Sequence, residues 1–253
     1  MAKKKTRQQE GLGGEHALED IHDYLVDRHT FTIFLHSDPK RIEDPDSGAE
    51  PGVEFAMANR LEKNLSILSG INPRKPVLIN MSSCGGDMYE GFKMFSAILA
   101  CPNPVTILAT KWARSMTSII PLAADRFLIR PPAQYMIHYG QYFFGGLDQE
   151  ADTADIERRK FRELMLRVYV ARLKEQGKFK TRSGEWLKGW LEEKIRQRID
   201  VFLSADEATE IGFADGVYVG DLSTLRARKK NEDRRQRMFE VIREGIIPEV
   251  SIK

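Results

Sequence analysis

The sequence predicts an α/β domain built on a largely parallel sheet, and three observations predict it. Two apolar runs of strand length, Pro76-Val77-Leu78-Ile79-Asn80 and Val105-Thr106-Ile107-Leu108, lie about one helix apart. The segment between them, Met88 to Leu99, puts Met88, Phe92, Phe95 and Leu99 on one helical face. Two further short strands follow, Phe127-Leu128-Ile129 and Tyr135-Met136-Ile137. Strands that alternate with helices need crossover connections, and such connections make neighbouring strands parallel.

Taken in order, residues 1 to about 16 are polar, carry Gly11-Leu12-Gly13-Gly14 and read as a flexible basic arm. The run Phe31 to Leu35 is β-branched or aromatic and reads as a strand. Asp38-Pro39 to Pro51-Gly52 is acidic and rich in turn residues, hence a surface loop. Val53 to about Leu68 spaces Phe55, Met57, Leu61, Leu65 and Leu68 as a helix does. A short helix should open at Ser115, and Pro121 should kink it or stop it early. Ala154 to Leu173 is long and amphipathic, with Phe161, Leu164, Met165 and Val168 in its stripe, and a second helix holds Trp186, Leu187, Trp190, Leu191 and Ile195. These apolar faces are expected to be exposed and to seek burial in an oligomer. Ser204 with Glu207 forms a capping box, and Gly212 suits a helix C-terminus. Past Asp221 the chain turns basic, with Arg226-Ala227-Arg228-Lys229-Lys230 and Arg234-Arg235-Gln236-Arg237. The simplest reading of residues 223–253 is a solvated helix or tail.

Composition narrows the function classes. A chain of 253 residues with 42% hydrophobic and 30% charged residues is an ordinary globular domain. A net charge of +2 does not point to nucleic acid, and Glu232, Asp233 and Glu240 interrupt the basic stretch. Cys84 and Cys101 have no metal-type spacing and suggest a reducing, cytoplasmic compartment. Met1-Ala2-Lys3-Lys4-Lys5 leads into Gln8-Gln9-Glu10 rather than an apolar run, so neither a signal peptide nor a membrane span is expected.

Ser115, His138 and Asp200 stand in contexts that suit nucleophilic catalysis. Ser115 sits at a strand-to-helix turn, His138 ends an apolar strand, and Asp200 precedes Val201-Phe202-Leu203. A serine hydroxyl needs a neutral imidazole to take its proton, and the imidazole needs a carboxylate to fix its tautomer. Each residue also has a plain structural reading: a helix cap for Ser115, a satisfied strand-end histidine, and a charged residue before a strand. Asp206 and Asp215 are rival carboxylates. His22, His29 and His36 read as surface residues, since no carboxylate or cysteine pattern makes them a metal site. Gly85-Gly86 reads either as a tight turn or as a close approach of backbone to a substrate carbonyl.

Four ordered blocks carry a resemblance. Ser82-Ser83-Cys84-Gly85-Gly86-Asp87 resembles the Ser-Pro-Gly-Gly turn of the Clp protease proteolytic subunit family. The segment around Ser115 resembles that family's Ala-Ala-Ser-Met, and Met136-Ile137-His138 its Met-Ile-His. Asp200-Val201-Phe202-Leu203-Ser204-Ala205, followed by Gly212-Phe213-Ala214-Asp215, resembles its Asp-Arg-Phe-Leu-Ser-Ala and Gly-Leu-Val-Asp. The match runs from roughly Pro76 to Val219. It implies the Clp/crotonase superhelix of strand-strand-helix units, in a domain over 17–222 with an extended helical handle from about Ala151 to Ile199. It implies a serine endopeptidase with Ser115 as nucleophile, His138 as base and Asp200 as its orienter. The backbone N–H groups of Gly86 and Met116 would form the oxyanion hole, with no metal or organic cofactor. The implied partners are a peptide or unfolded-protein substrate, a homo-oligomeric ring and an ATP-dependent unfoldase.

The chain departs from the family pattern at several points. Cys84 replaces a proline, and Arg114 replaces a small residue and adds a charge beside Ser115. The interval from His138 to Asp200 is long, with the extra residues assigned to Tyr142-Phe143-Phe144-Gly145-Gly146 and to the stretch from Lys178 to Trp186. The N-terminal third matches only at one strand. The alternatives are a catalytically silent ring subunit or scaffold, a phage-type head maturation protease, and a crotonase-type acyl-CoA enzyme.

Overall fold

A computed structural model describes residues 14–37, 52–141 and 146–246. Most of the N-terminal arm, the acidic loop after Ser37 and most of the loop after Gln141 therefore lie outside the described residues. The architecture is mixed α/β around a mainly parallel sheet, as the strand-helix rhythm predicts. Helix α1 (Gly14–Asp23) precedes strand β1 (Val26–Asp27), which pairs antiparallel with β2 (Thr32–Leu35). From β2 the sheet runs in parallel through β3 (Val77–Ser83), β4 (Val105–Arg114), β5 (Arg126–Ile129) and β8 (Gly216–Val217).

Strand β4 is longer than its apolar run suggests, and its two halves serve different neighbours. Thr106 to Ala109 pair with β5, while Trp112 to Arg114 pair in parallel with β6 (Gln134–Ile137). Strand β6 then pairs antiparallel with β7 (Val201–Leu203). The sheet thus forks along β4, and the second branch carries the candidate site.

Helices α2 (Phe55–Ile71) and α3 (Met88–Ala100) cover one face. Glu54 caps α2, accepting from the Ala56 and Met57 amides at 2.8 Å, and Asp87 caps α3 through the Glu90 amide at 2.9 Å. Met57, Leu61, Leu65 and Leu68 meet Phe95, Ile98 and Leu99 in a core with Val77, Ile79 and Ile107. Alternation sends Leu78, Leu108 and Leu128 to the opposite face, where Tyr218, and Leu225 of α8 (Leu222–Leu225), cover them. Pro121 acts as expected: α4 (Met116–Ile119) stops after one turn, and a 3-10 turn (Ile120–Ala123) replaces it. The capping box of α7 (Ala205–Ile211) forms, and Gly212 ends that helix in the left-handed region at φ 114°.

Two expectations are corrected. The stripe of α5 (Asp148–Glu175) is not exposed: Leu164, Met165, Val168 and Leu173 are buried, as are Leu187, Leu191 and Ile195 of α6 (Gly184–Arg198). Helix α6 and the C-terminal helix α9 (Glu232–Ile246) both pack on α5. Gly245 lies so close that an added Cβ would come 2.7 Å from Leu164 Cδ1. The chain satisfies this stripe internally, so the stripe supplies no argument for an oligomer.

The basic stretch is likewise no solvated tail. Arg226 donates to the Phe31 and Pro76 carbonyls at 3.1 and 2.8 Å and to Thr32 Oγ1 at 2.9 Å, at the start of the sheet. Lys230 Nζ donates to the Cys101 and Asn103 carbonyls. Arg234 is buried and contacts Asp215 Oδ1 and Glu175 Oε1, each at 2.7 Å.

Asp215 receives Arg172 Nη2 at 2.8 Å on the same oxygen, and its other oxygen accepts from the Phe127 amide at 2.7 Å. Burial alone would raise the Asp215 pKa, but Arg172 and Arg234 outweigh it and lower the value from 3.8 to about 2. The folded value is depressed, so the carboxylate's contribution is complete above the ordinary value of 3.8 and fades as pH falls toward about 2. Asp215→Asn leaves two buried guanidinium groups short of a counter-ion and should cost about 3–5 kcal/mol. Urea unfolding at neutral pH measures that loss. The variant should also lack the part of the native chain's acid destabilisation that falls in this window.

Candidate active site

The strand register builds the site. Ser83 of β3 pairs with Ala113 of β4, and Arg114 of β4 pairs with Met136 of β6. The C-terminal ends of three parallel strands therefore coincide, and the turn Cys84–Gly86, Ser115 and His138 emerge side by side. This is where open α/β sheets expose functional groups. The antiparallel partner supplies the last residue. Ile137 pairs with Val201, so His138 and Asp200 follow as the next opposed pair.

The side chains complete the arrangement. Ser115 Oγ lies 2.7 Å from His138 Nε2, and His138 Nδ1 lies 2.9 Å from Asp200 Oδ1. With the proton on Nδ1 directed at the carboxylate, Nε2 is free to accept from the hydroxyl. The structure brings these three residues together and separates the rival carboxylates from them. Asp206 lies in the first turn of α7, and Asp215 faces Arg172 and Arg234. Asp200 itself is not buried: its side chain is 45% exposed, against 16% for His138.

Ser115 does not cap α4, since its side chain makes no capping bond. It holds φ 53° and ψ −124°, a conformation that costs a non-glycine residue about 1–3 kcal/mol. Hydroxyl groups that the sequence reading passed over pin this turn. The Ser115 amide donates to the Met136 carbonyl at 3.0 Å, and Ser118 Oγ donates to the Ser115 carbonyl at 2.6 Å. Tyr169 of α5 lies 2.5 Å from Ser118 Oγ and must be the donor, because the Ser118 proton is already committed. Tyr135 donates to the Ser118 carbonyl at 2.7 Å. Burial raises both phenols above their ordinary pKa, so both remain neutral donors. The Thr117 hydroxyl, 2.8 Å from the Ser83 and Arg114 carbonyls, ties β3 to the same turn.

Asp200 is also presented under strain. Ile199 adopts φ 62° and ψ −67°, and the Asp200 amide donates to the Arg198 carbonyl at 2.7 Å. This is a tight γ-turn, rarely occupied by a β-branched residue.

The glycine turn lies against the nucleophile. A Cβ on Gly85 would sit 2.5 Å from Ser115 Cβ and 2.9 Å from the Met116 nitrogen. Gly86, at φ 149°, is held by Val53, which donates to the Gly85 carbonyl at 2.5 Å and accepts from the Asp87 amide at 2.9 Å. Met116 is the first residue of α4, so its N–H has no carbonyl one turn earlier to bind. Arg114 turns its charge aside, over the Trp112 and Phe202 rings at 4.6 and 5.3 Å and onto Gln134. Among the described residues no group of three or more metal-ligating side chains occurs, and no helix is long and apolar enough to cross a membrane.

Comparison with known proteins gives a consistent picture. The model of the family described as Clp protease matches residues 49–221. The ATP-dependent Clp protease proteolytic subunit 1 of Chlamydia abortus is 31% identical over 172 residues, covering 67% of this chain and 83% of that protein. Its counterpart in Chlamydia trachomatis gives the same identity and coverage. The ATP-dependent Clp protease proteolytic subunit of Deinococcus radiodurans is 27% identical over 119 residues, 46% of this chain and 58% of that protein.

Proposed function

The chain belongs to the Clp protease family, and on that premise we propose that it is a serine endopeptidase working through an acyl-enzyme. The observation that carries this reading is the unbroken relay from Ser115 Oγ through His138 to Asp200, with links of 2.7 and 2.9 Å. Ser115 Oγ attacks the scissile carbonyl carbon while its proton passes to His138 Nε2. Asp200, accepting from Nδ1–H, stabilises the imidazolium. The carbonyl oxygen becomes an oxyanion and accepts from the Gly86 and Met116 amides. The intermediate collapses, the C–N bond breaks, and the amine leaves with the proton held by His138. A water molecule then loses a proton to His138, attacks the ester, and releases the acid and Ser115.

The substrates on this reading are peptides or unfolded proteins. The relatives' names contain both "subunit" and "ATP-dependent", which supports a homo-oligomeric particle fed by an ATP-driven unfoldase. Cys84 and Cys101, neither of them in a disulfide, suit a cytoplasmic setting. The catalytic domain spans 17–222, and 223–253 form a basic extension whose helix α9 braces the long α5. Internally quenched peptides test the activity: the native protein should cleave them, and Ser115→Ala should lose at least about 10⁴-fold in turnover. Near-native cleavage by that variant refutes the assignment.

A further inference from the structure

A pocket of about 470 Å³ opens beside the relay. His138, Tyr139, Ile195 and Asp200 line it, and Arg162 of α5 and Glu192 of α6 bring charge to it. Its volume lies in the range of side-chain and small-ligand sites. The pocket adjoins the reacting centre through His138, whose Nε2 faces Ser115 Oγ.

The two charges are unequal. Glu192 is exposed, so water solvates it. Arg162 is half-buried, with its guanidinium over the Tyr139 ring at 4.5 Å, and its Nε is shut off from solvent without a hydrogen-bond partner. The nearby carboxylates serve other cations. Asp155 binds Arg158 and Arg159, and Glu163 binds Arg167 and Lys188. Arg196, also in the lining, is held by Glu193 at 2.6 Å. Asp200, on the relay side of the pocket, accepts a hydrogen bond from His138 Nδ1.

Arg162 forms no ion pair among the described residues, and a substrate carboxylate that meets the part of its guanidinium open to the pocket gains a paired, charge-assisted contact. Resting on the peptidase reading above, we infer that this pocket selects peptides with an acidic side chain next to the scissile bond, and that Arg162 is the specificity-determining residue. A glutamine of the same shape offers one neutral acceptor and turns its NH₂ toward donors, so it gains much less. A lysine side chain would meet Arg162 as a like charge and would have to pair with Glu192 instead.

Internally quenched peptides, varied between Glu, Gln, Leu and Lys at each residue flanking the bond, test this. At one flanking position the native protein should prefer Glu to Gln by about tenfold in kcat/KM, the margin between charged and neutral hydrogen bonds. Arg162→Gln should bring that ratio to about one. Arg162→Lys, which keeps the charge but not the planar fork, should keep part of it, and Glu192→Gln should raise it. The ratio is internal to each variant, so it is independent of the amount of folded protein. Equal cleavage of Glu and Gln peptides, a ratio unmoved in both Arg162 variants, or a lysine preference abolished by Glu192→Gln overturns the inference while leaving the peptidase reading intact. Absence of any Ser115-dependent cleavage overturns both.

Discussion

Asp200→Asn will lower peptide turnover by about 10⁴-fold while the chain stays folded. The expectation follows from the register. Asp200 stands opposite His138 because β7 pairs with β6, and its Oδ1 takes the Nδ1 proton at 2.9 Å. An asparagine there turns its NH₂ toward Nδ1, which forces the imidazole proton onto Nε2. That nitrogen then faces Ser115 as a donor and cannot accept the hydroxyl proton. The rival carboxylates give the contrast. Asp206→Asn, in the first turn of α7, should retain most activity. Asp215→Asn should lose stability through Arg172 and Arg234 rather than chemistry. Steady-state kinetics on folded protein separates the three. Near-normal turnover in Asp200→Asn, with loss in another, would place the orienter elsewhere.

Gly86→Ala should cost about 10²–10³-fold in kcat, the effect of losing one oxyanion donor. An added Cβ would fall 2.3 Å from the Val53 carbonyl oxygen and 2.4 Å from its nitrogen, both backbone atoms with little room to yield. The φ of 149° is a further obstacle to any L side chain. The turn must therefore shift, and the Gly86 N–H shifts with it. Met116→Leu keeps its backbone donor and should cost far less. Comparing kcat in the two variants, with the unfolding midpoint as a check on folding, tests whether the donor is the Gly86 amide. Equal losses in both would point to packing instead.

The site was legible wherever its parts are local. Strand-to-turn boundaries at Gly85-Gly86, Ser115 and His138 leave marks in the sequence, because a strand end and a glycine turn are both short-range features. Asp200 was legible only by its neighbours Phe202-Leu203-Ser204-Ala205, since the pairing that sets it against His138 spans 62 residues. The hydroxyl chain behind Ser115 was not legible. Ser118 and Tyr169 lie 51 residues apart, and nothing in a helical stripe says that one tyrosine will reach a distant turn. Nor was the strain at Ile199, an exposed β-branched residue in a conformation that propensity disfavours. The fate of α5 was misread for a related reason. Periodicity shows that Leu164 and Val168 share a face, but not that α9 returns to cover it. The basic run was misread because charge density suggests solvent, whereas Arg226, Lys230 and Arg234 spend their donors on carbonyls and carboxylates of the body of the fold.

The central claim is that Ser115 is the nucleophile, activated by His138. Covalent labelling tests it most directly. A fluorophosphonate reacts with a serine whose hydroxyl has a base at hand and an oxyanion site opposite, and other serines stay unmodified. Intact mass after treatment of the native protein should show one adduct, and peptide mapping should place it on Ser115. Ser115→Ala should take up none, and His138→Ala should take up very little. An adduct on Ser82, Ser83 or Ser118, or no adduct on folded native protein, would contradict the account.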